Sequence, residues 1–165
     1  MKSIFLMAQE SGWYSSFLTS MVVEISMDKQ IGSVLDIGTA SGMLPKFLIE
    51  QNPQLTIIGT DIDSAAILAA KKRIQHPHVS FFKTEAGKPL SFEDETFDAV
   101  TICSVLFLLN ESQQQQLIIE ALRVLQPSGK LLVLTPSGKI PIWKSFKEVW
   151  FFPKSPYNWT YLIWR

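Results

Sequence analysis

Apolar and polar positions change period repeatedly along this 165-residue chain. Between Met7 and Met27, Trp13, Phe17, Leu18, Met21, Val22 and Ile25 recur at helical spacing and predict a leading helix or helix pair. Gln30-Ile-Gly-Ser breaks that pattern. Val34, Leu35 and Ile37 then read as a buried strand, followed by the glycine turn Gly38-Thr-Ala-Ser-Gly42 and a helix carrying Leu44, Phe47, Leu48 and Ile49. Pro45 falls in its first turn, where a missing N–H costs nothing, and Asn52-Pro53 ends it because a residue before proline resists helical dihedrals. Strand, tight loop and helix start together predict backbone N–H groups and a positive dipole end aimed at a ligand.

A second strand, Leu55-Thr-Ile-Ile-Gly-Thr60, ends on Asp61. Ser64 is placed to cap a helix through Ile67, Leu68 and Ala69, with Lys71-Lys-Arg73 complementing its C-terminus. His76-Pro-His78 makes a turn, Val79 to Phe82 a third strand, Lys83 to Glu95 a polar loop and Phe97 to Cys103 a fourth strand. Asn110 with Gln113 reads as a capping box, opening a helix whose buried stripe is Leu117, Ile118, Ala121, Leu122 and Leu125. Pro127-Ser-Gly129 closes that helix, and Lys130 to Thr135 is the fifth strand. Strands and helices alternate, and the strands are continuous apolar runs of the kind buried on both faces. The fold class is therefore α/β, with a doubly wound, mostly parallel sheet.

Composition narrows the function classes. At 47% hydrophobic and 18% charged the chain has material for one sizeable core, read as a single domain over 1–165: a leading helical segment at 1–32, a core at 33–135 and an aromatic C-terminal part at 136–165. Formal net charge is zero, so no global field steers the protein to nucleic acid or to an anionic membrane. Cys103 is the only cysteine, which excludes an internal disulfide framework and a cysteine-clustered metal site and fits a reducing compartment. The apolar run in Met1-Lys-Ser-Ile-Phe-Leu-Met-Ala8 is shorter than a signal-peptide core, and no segment reaches the roughly 20 apolar residues of a membrane span. The expected location is cytoplasmic.

In a doubly wound sheet, ligands bind beyond the carboxyl ends of the strands where the strand order reverses, which selects the loop after the first strand and the loop from Cys103. Asp61 stands at the separation from Gly42 expected of a carboxylate that accepts hydrogen bonds from ribose hydroxyls, a feature shared by several nucleotide-like ligands. Asp36 discriminates among them. Two residues ahead of Gly38, it would repel a pyrophosphate and attract a cation, by about 4 kcal/mol at 4 Å and an effective dielectric of 20 before desolvation is deducted. The loop also fails the Gly-x-Gly-x-x-Gly spacing of dinucleotide sites.

Val34-Leu-Asp-Ile-Gly-Thr-Ala-Ser-Gly42 resembles the first motif of class I S-adenosylmethionine-dependent methyltransferases, and Gly59-Thr-Asp-Ile-Asp63 the second. Leu90 to Val100 is similar to the segment entering that family's fourth strand, and Arg123 to Leu131 to the one entering its fifth. The match runs from Ser33 to Thr135, with the flavour of the small-molecule, quinone-biosynthesis branch. The resemblance implies a Rossmann-like three-layer sandwich and the cofactor S-adenosyl-L-methionine. It also implies a site in which Asp36 serves the methionine end, Gly38, Thr39, Ala40 and Gly42 lie against the cofactor and Asp61 grips the ribose. Ile62 would pack on the adenine, and Cys103 would offer its backbone. Three departures stand out: Ala40 replaces a middle glycine, Ser128 replaces a common glycine, and Ala86 occupies the place of an adenine-binding acid, with Glu85 beside it. Tyr14 is the candidate for the substrate-side wall.

The implied reaction is methyl transfer to a small, lipophilic acceptor, which needs alignment more than an acid or base, in keeping with the lack of an evident catalytic dyad. The alternative is a methyltransferase-like module that binds or regulates without catalysis. Cys103 reads as a small buried side chain, His76 and His78 as surface turn residues, and Asp63 as a helix N-terminal charge. The tail interleaves Trp143, Phe146, Trp150, Phe151, Phe152, Tyr157, Trp159, Tyr161 and Trp164 with Lys139, Lys144, Lys147 and Lys154. It is compatible with a helix and edge strand that complete the fold, with a lid over a lipophilic acceptor, and with peripheral membrane contact. Thr101-Ile-Cys-Ser104 lacks the pattern of amino-methylating DNA enzymes, so no nucleic acid partner is expected. The family adds two antiparallel strands after the fifth helix where this chain has room for about one, Trp159 to Trp164, a shortened C-terminal part. The sheet edge would then be covered by a folded-back tail or by a partner chain in a homodimer.

Overall fold

The computed structural model describes residues 4–135, 155–157 and 159–160. It comprises two compact units, one of residues 1–20 with 136–165, the other of residues 21–135. In chain order the elements are α1 (Ile4–Gln9), α2 (Gly12–Met27), β1 (Ser33–Ile37), α3 (Met43–Gln51), β2 (Thr56–Asp61), α4 (Ser64–Arg73), β3 (Val79–Lys83) and β4 (Phe97–Cys103). A 3-10 turn (Leu106–Leu108), α5 (Glu111–Val124) and β5 (Leu125–Leu134) follow. The leading segment is thus a helix pair.

In the larger unit the five strands form one sheet in the order β3-β2-β1-β4-β5, every neighbouring pair parallel. The chain winds outward from β1 through β2 to β3, then returns to the other side of β1 for β4 and β5. The strand order reverses at β1, and Asp36 lies in register with Gly59 on one side and Thr101 on the other. β1 and β4 are buried almost throughout, as their continuous apolar sequences require.

One face of the sheet is covered by α5, whose Ala121 and Val124 pack with Leu35, Ile37, Val100 and Ile102. The crossover from β3 to β4 contains no helix. Its loop fills the same layer with Leu90 and Phe92, the Phe92 ring meeting Phe97 edge-on at 5.2 Å. Arg123 on α5 clamps that loop by donating to the Phe92 carbonyl at 2.9 Å and the Leu90 carbonyl at 3.1 Å. It also pairs with Asp94 at 2.6 Å and Glu120 at 2.5 Å, and Glu120 in turn accepts from the Leu90 N–H at 2.7 Å. The Arg123 guanidinium holds the Glu120 carboxyl below the usual range.

Several local expectations need correction. The cap of α4 is Asp63, whose side chain accepts from the Ala65 N–H at 2.8 Å; Ser64 is already helical. The buried face of α4 is Ala66, Ile67 and Ala70, with Leu68 turned outward. On α5 the capping box of Asn110 and Gln113 forms as expected, but Leu122 is 52% exposed and Leu125 already belongs to β5. The helix stops at Val124 because β4 takes up the chain at once, pairing Phe97 with Leu125 and then Ala99 with Lys130. Pro127-Ser-Gly129 is therefore an irregularity within β5 and not a turn before it. A proline, which cannot donate to the ladder, is accommodated in such a bulge.

In the smaller unit Ser11 caps α2, its hydroxyl accepting from the Tyr14 N–H at 3.3 Å. Trp13, Tyr14 and Phe17 form an aromatic cluster, and the Trp13 indole donates to Thr160 Oγ1 at 3.0 Å. The Thr160 hydroxyl reaches the Tyr157 carbonyl at 2.6 Å, and Trp159 and Thr160 lie in a helical turn, not at the start of a strand. The expected C-terminal helix, the rest of the edge strand and most of the aromatic tail lie outside the described residues. Among the described residues no helix is long and apolar enough to cross a membrane.

Candidate functional site

The loop between β1 and α3 is left-handed at three places: Gly38 (φ 75°), Ala40 (φ 47°) and Gly42 (φ 75°). The glycines answer first to the protein's own packing. A Cβ on Gly38 would lie 2.2 Å from Val105 Cγ2, and one on Gly42 would be 3.2 Å from both Ala70 and the Phe81 ring. Ala40, where the family resemblance expects glycine, holds its left-handed conformation at a cost of roughly 1 to 2 kcal/mol.

The loop is stitched to β2. The N–H groups of Gly38 and Thr39 donate to the Thr60 carbonyl at 2.8 and 2.9 Å, and the Gly42 N–H donates to the Thr39 carbonyl at 2.9 Å. The Ala40 N–H donates to Asp61 Oδ2 at 2.9 Å, while Asp61 Oδ1 accepts from the Asp63 N–H at 2.9 Å. From α4, Arg73 Nε reaches the Ser41 carbonyl at 2.8 Å. This corrects the expectation that the loop aims its N–H groups outward: those of Gly38, Thr39, Ala40 and Gly42 are spent within the chain. A phosphate would find few donors here, whereas a ligand that seeks acceptors finds carboxylates.

Asp36 is 2% exposed and accepts from Thr101 Oγ1 at 2.7 Å. Burial pushes its carboxyl from 3.8 up to about 6, the hydroxyls of Thr39 and Thr101 oppose that rise, and the Asp61 carboxylate adds to it. The Thr39 hydroxyl is near enough to act on the charge yet makes no hydrogen bond of normal geometry. Among the described residues, the groups that act on the Asp36 charge are the hydroxyls of Thr39 and Thr101 and the Asp61 carboxylate, none of them basic.

The remaining expected residues fall as follows. Ile62, just past Asp61, is 59% exposed, unusual for an isoleucine. Cys103 ends β4 as a buried thiol, 3.9 Å from Ser104 Oγ. Glu85 and Ala86 are exposed on the loop after β3, and Glu85 pairs with Lys88 at 2.5 Å rather than with any of the residues above. Tyr14 is buried in the smaller unit's aromatic cluster. Sequence reasoning missed Thr101 and Val105. Thr101 was visible as the lone hydroxyl inside an apolar strand, but its partner Asp36 is known only from the β1–β4 register. Val105 had no local signal, since its contact with Gly38 spans more than 60 residues of chain.

A parallel sheet with a glycine loop after its central strand and a carboxylate after the next is the construction of a nucleoside-binding α/β domain. Residues 34–129 match the family model described as a methyltransferase domain, and the chain belongs to that family. Membership brings S-adenosyl-L-methionine as the cofactor. Among its relatives is a ubiquinone/menaquinone biosynthesis C-methyltransferase of Desulfotalea psychrophila, 30% identical over 141 residues that make up 84% of this chain and 54% of that protein. A demethylmenaquinone methyltransferase of Thermotoga maritima is 31% identical over 68% of this chain and 47% of its own length. The PH0226 protein of Pyrococcus horikoshii superposes with a TM-score of 0.64 at 28% identity, over 73% of this chain and 55% of that one. The chain spans about half the length of the curated relatives it matches.

Proposed function

We propose that this chain binds S-adenosyl-L-methionine at the carboxyl ends of β1 and β2 and transfers its methyl group to a small, lipophilic acceptor of the quinone-precursor type. The observation that carries the reading is Asp36: a buried carboxylate acted on, among the described residues, by hydroxyls and by another carboxylate rather than by a basic side chain, beside a loop in which the N–H groups of Gly38, Thr39, Ala40 and Gly42 are already used. That donor set fits a ligand with a cationic ammonium and sulfonium and does not fit a pyrophosphate.

In this reading Asp36 holds the charge of the methionine end, and the loop from Gly38 through Thr39 and Ala40 to Gly42 shapes its seat. Asp61 keeps lone pairs for the ribose hydroxyls beyond the N–H groups it already accepts, because an ionised carboxylate offers about four acceptor sites. Ile62 offers an exposed apolar surface to the adenine, and Cys103 a backbone carbonyl. Glu85 would reach the adenine amine only by leaving Lys88. When bound, the cofactor supplies an electrophilic methyl carbon on sulfur. The chain's part is to bind, to align an acceptor behind that carbon and to exclude water, which requires no dedicated proton carrier. The quinone-type acceptor draws on the names of the relatives, whose length this chain covers only in part.

Calorimetric titration with S-adenosylmethionine and with S-adenosylhomocysteine tests the reading. Micromolar-range binding of either supports it; undetectable binding of both, by folded protein, rejects it. Binding without transfer to any prenylated naphthoquinol would instead describe a non-catalytic module.

A further inference from the structure

Thr101 is fully buried in the middle of β4, between Val100 and Ile102, which both pack into the layer beneath α5. Successive residues of a strand alternate faces, so Thr101 belongs to the opposite face, as Asp36 does between Leu35 and Ile37. The β1–β4 register sets the two side by side. Packing gives no reason for a hydroxyl here, since valine would fill the same space in an apolar strand. Its uses are polar. Thr101 Oγ1 donates to Asp36 Oδ1 at 2.7 Å, and a second acceptor, the Leu35 carbonyl, lies at 3.4 Å.

A hydroxyl has one proton and two lone pairs. Beside an ionised Asp36 it donates to the carboxylate. Beside a protonated Asp36 it can accept the carboxyl proton and turn its own toward Leu35. Both forms of a group with almost no access to water are thereby satisfied, the ionised one more strongly because its hydrogen bond is charge-assisted.

The surroundings leave the choice between the two forms to a ligand. Among the described residues the charge that acts on Asp36 is Asp61, at the end of β2, which opposes a second negative charge, while the loop contributes the Thr39 hydroxyl. On α4, Arg73 reaches the Ser41 carbonyl at 2.8 Å, and on α3, Lys46 pairs with Glu50 at 3.6 Å. On β4 itself, Asp98 accepts from the N–H groups of Gly32 and Ser33 near the start of the strand, and the Cys103 thiol lies 3.9 Å from Ser104 Oγ. Burial, with Asp61 adding to it, brings the Asp36 carboxyl to about 6, so part of the free protein is protonated there below neutrality.

We propose that Thr101 is a positioning residue for cofactor binding: its hydroxyl, shared between Asp36 and the Leu35 carbonyl, holds the carboxylate for the ligand's ammonium and lets that ammonium displace a proton from Asp36. The proposal rests on the methyl-transfer reading and adds a proton linkage to that same site. The displaced proton passes to the buffer, so one positive charge replaces another. Thr101 acts through Asp36.

The test is calorimetric titration of the full chain with S-adenosylhomocysteine, which carries the ammonium without the sulfonium, from pH 5 to pH 7, a range over which that ammonium stays charged. Wild type should bind about tenfold more weakly at pH 5 than at pH 7 and release about half a proton at pH 6, read from the dependence of the binding enthalpy on buffer ionisation. Thr101→Val loses a charge-assisted hydrogen bond and should raise the midpoint by about one pH unit, steepening the fall to about fiftyfold and the release at pH 6 to about 0.9 proton. Thr101→Ser should restore the wild-type profile, and Asp36→Asn should bind more weakly with no slope. Wild-type binding that releases no proton and stays level across the range overturns the proposal, whether or not any variant folds. A Thr101→Val profile parallel to that of wild type, the result of a merely structural role, also overturns it. Undetectable binding by folded wild type at every pH overturns the cofactor reading and this proposal with it, so the two failures are distinguishable.

Discussion

Replacing Asp36 by asparagine removes a charge from a position with almost no access to water. The carboxyl titrates near 3.8 in an unfolded chain and at about 6 in the fold, burial being the main cause. Because the folded value is the higher one, the native state holds a proton between these pH values that the unfolded state has released. The group's contribution is therefore fully favourable below pH 4 and is lost as pH rises through 6. The loss amounts to about 3 kcal/mol, since a tenfold change in proton affinity is worth about 1.4 kcal/mol. The asparagine side chain does not titrate, so the stability of Asp36→Asn minus that of wild type should rise by about 2.5 kcal/mol from pH 4 to pH 7.5, the rest of the change falling below pH 4. Any cost of the amide's own hydrogen bonding is constant over that range and drops out of the trend. Urea unfolding of both proteins at half-unit pH steps measures it, and a difference that stays flat would falsify the buried-charge argument. The same variant should bind S-adenosylmethionine more weakly at pH 7.5, since stability and affinity here draw on the same charge in opposite directions.

Gly38→Ala combines a φ of 75° with a Cβ placed 2.2 Å from Val105 Cγ2, and should destabilise by more than about 2 kcal/mol in thermal unfolding. Adding Val105→Ala should recover the steric part and leave the dihedral part; no recovery would place the clash elsewhere. Thr101→Val removes the 2.7 Å hydrogen bond to Asp36, so it should cost about 1.5 to 3 kcal/mol at pH 8 and much less at pH 4, where the carboxyl is protonated. Equal losses at both pH values would contradict the assignment. Arg123→Met strips the donors from the Leu90 and Phe92 carbonyls, and should cost about 2 to 3 kcal/mol with faster amide exchange localised to residues 85–96. Asp61→Ala should weaken S-adenosylmethionine binding by roughly 2 to 4 kcal/mol through loss of a charged acceptor, an assignment that unchanged affinity in the folded variant would reject.

Much of the fold was legible along the chain. Each strand from Val34 to Leu134 was recognisable as a short apolar run between turn signals, the capping box of Asn110 and Gln113 formed as its spacing implies, and the alternation of elements is what makes the sheet parallel. These features depend on residues within a few positions of one another. Errors came where a distant segment overrode the local signal. Pro127-Ser-Gly129 looks like a terminator, yet pairing with β4 draws it into β5. Leu122 fits a helical stripe, yet the layer beneath α5 is completed by Leu90 and Phe92 from the crossover loop, and Leu122 remains outside it.

The site divides the same way. Residue types and order along the chain were enough to nominate Asp36, the glycine loop and Asp61 as candidates, because charge and backbone freedom are properties of single residues. What those groups do was decided in three dimensions. β-sheet register sets Thr101 beside Asp36, the return of the chain after β4 seats Val105 on Gly38, and the left-handed turns direct the loop's N–H groups to Thr60 and Asp61. Burial raises the titration of Asp36, and burial is a property of the whole sheet and its covering layers. A sequence specifies which atoms are present; the close-packed interior determines which of them meet, and hence which charge lacks water and looks for a partner.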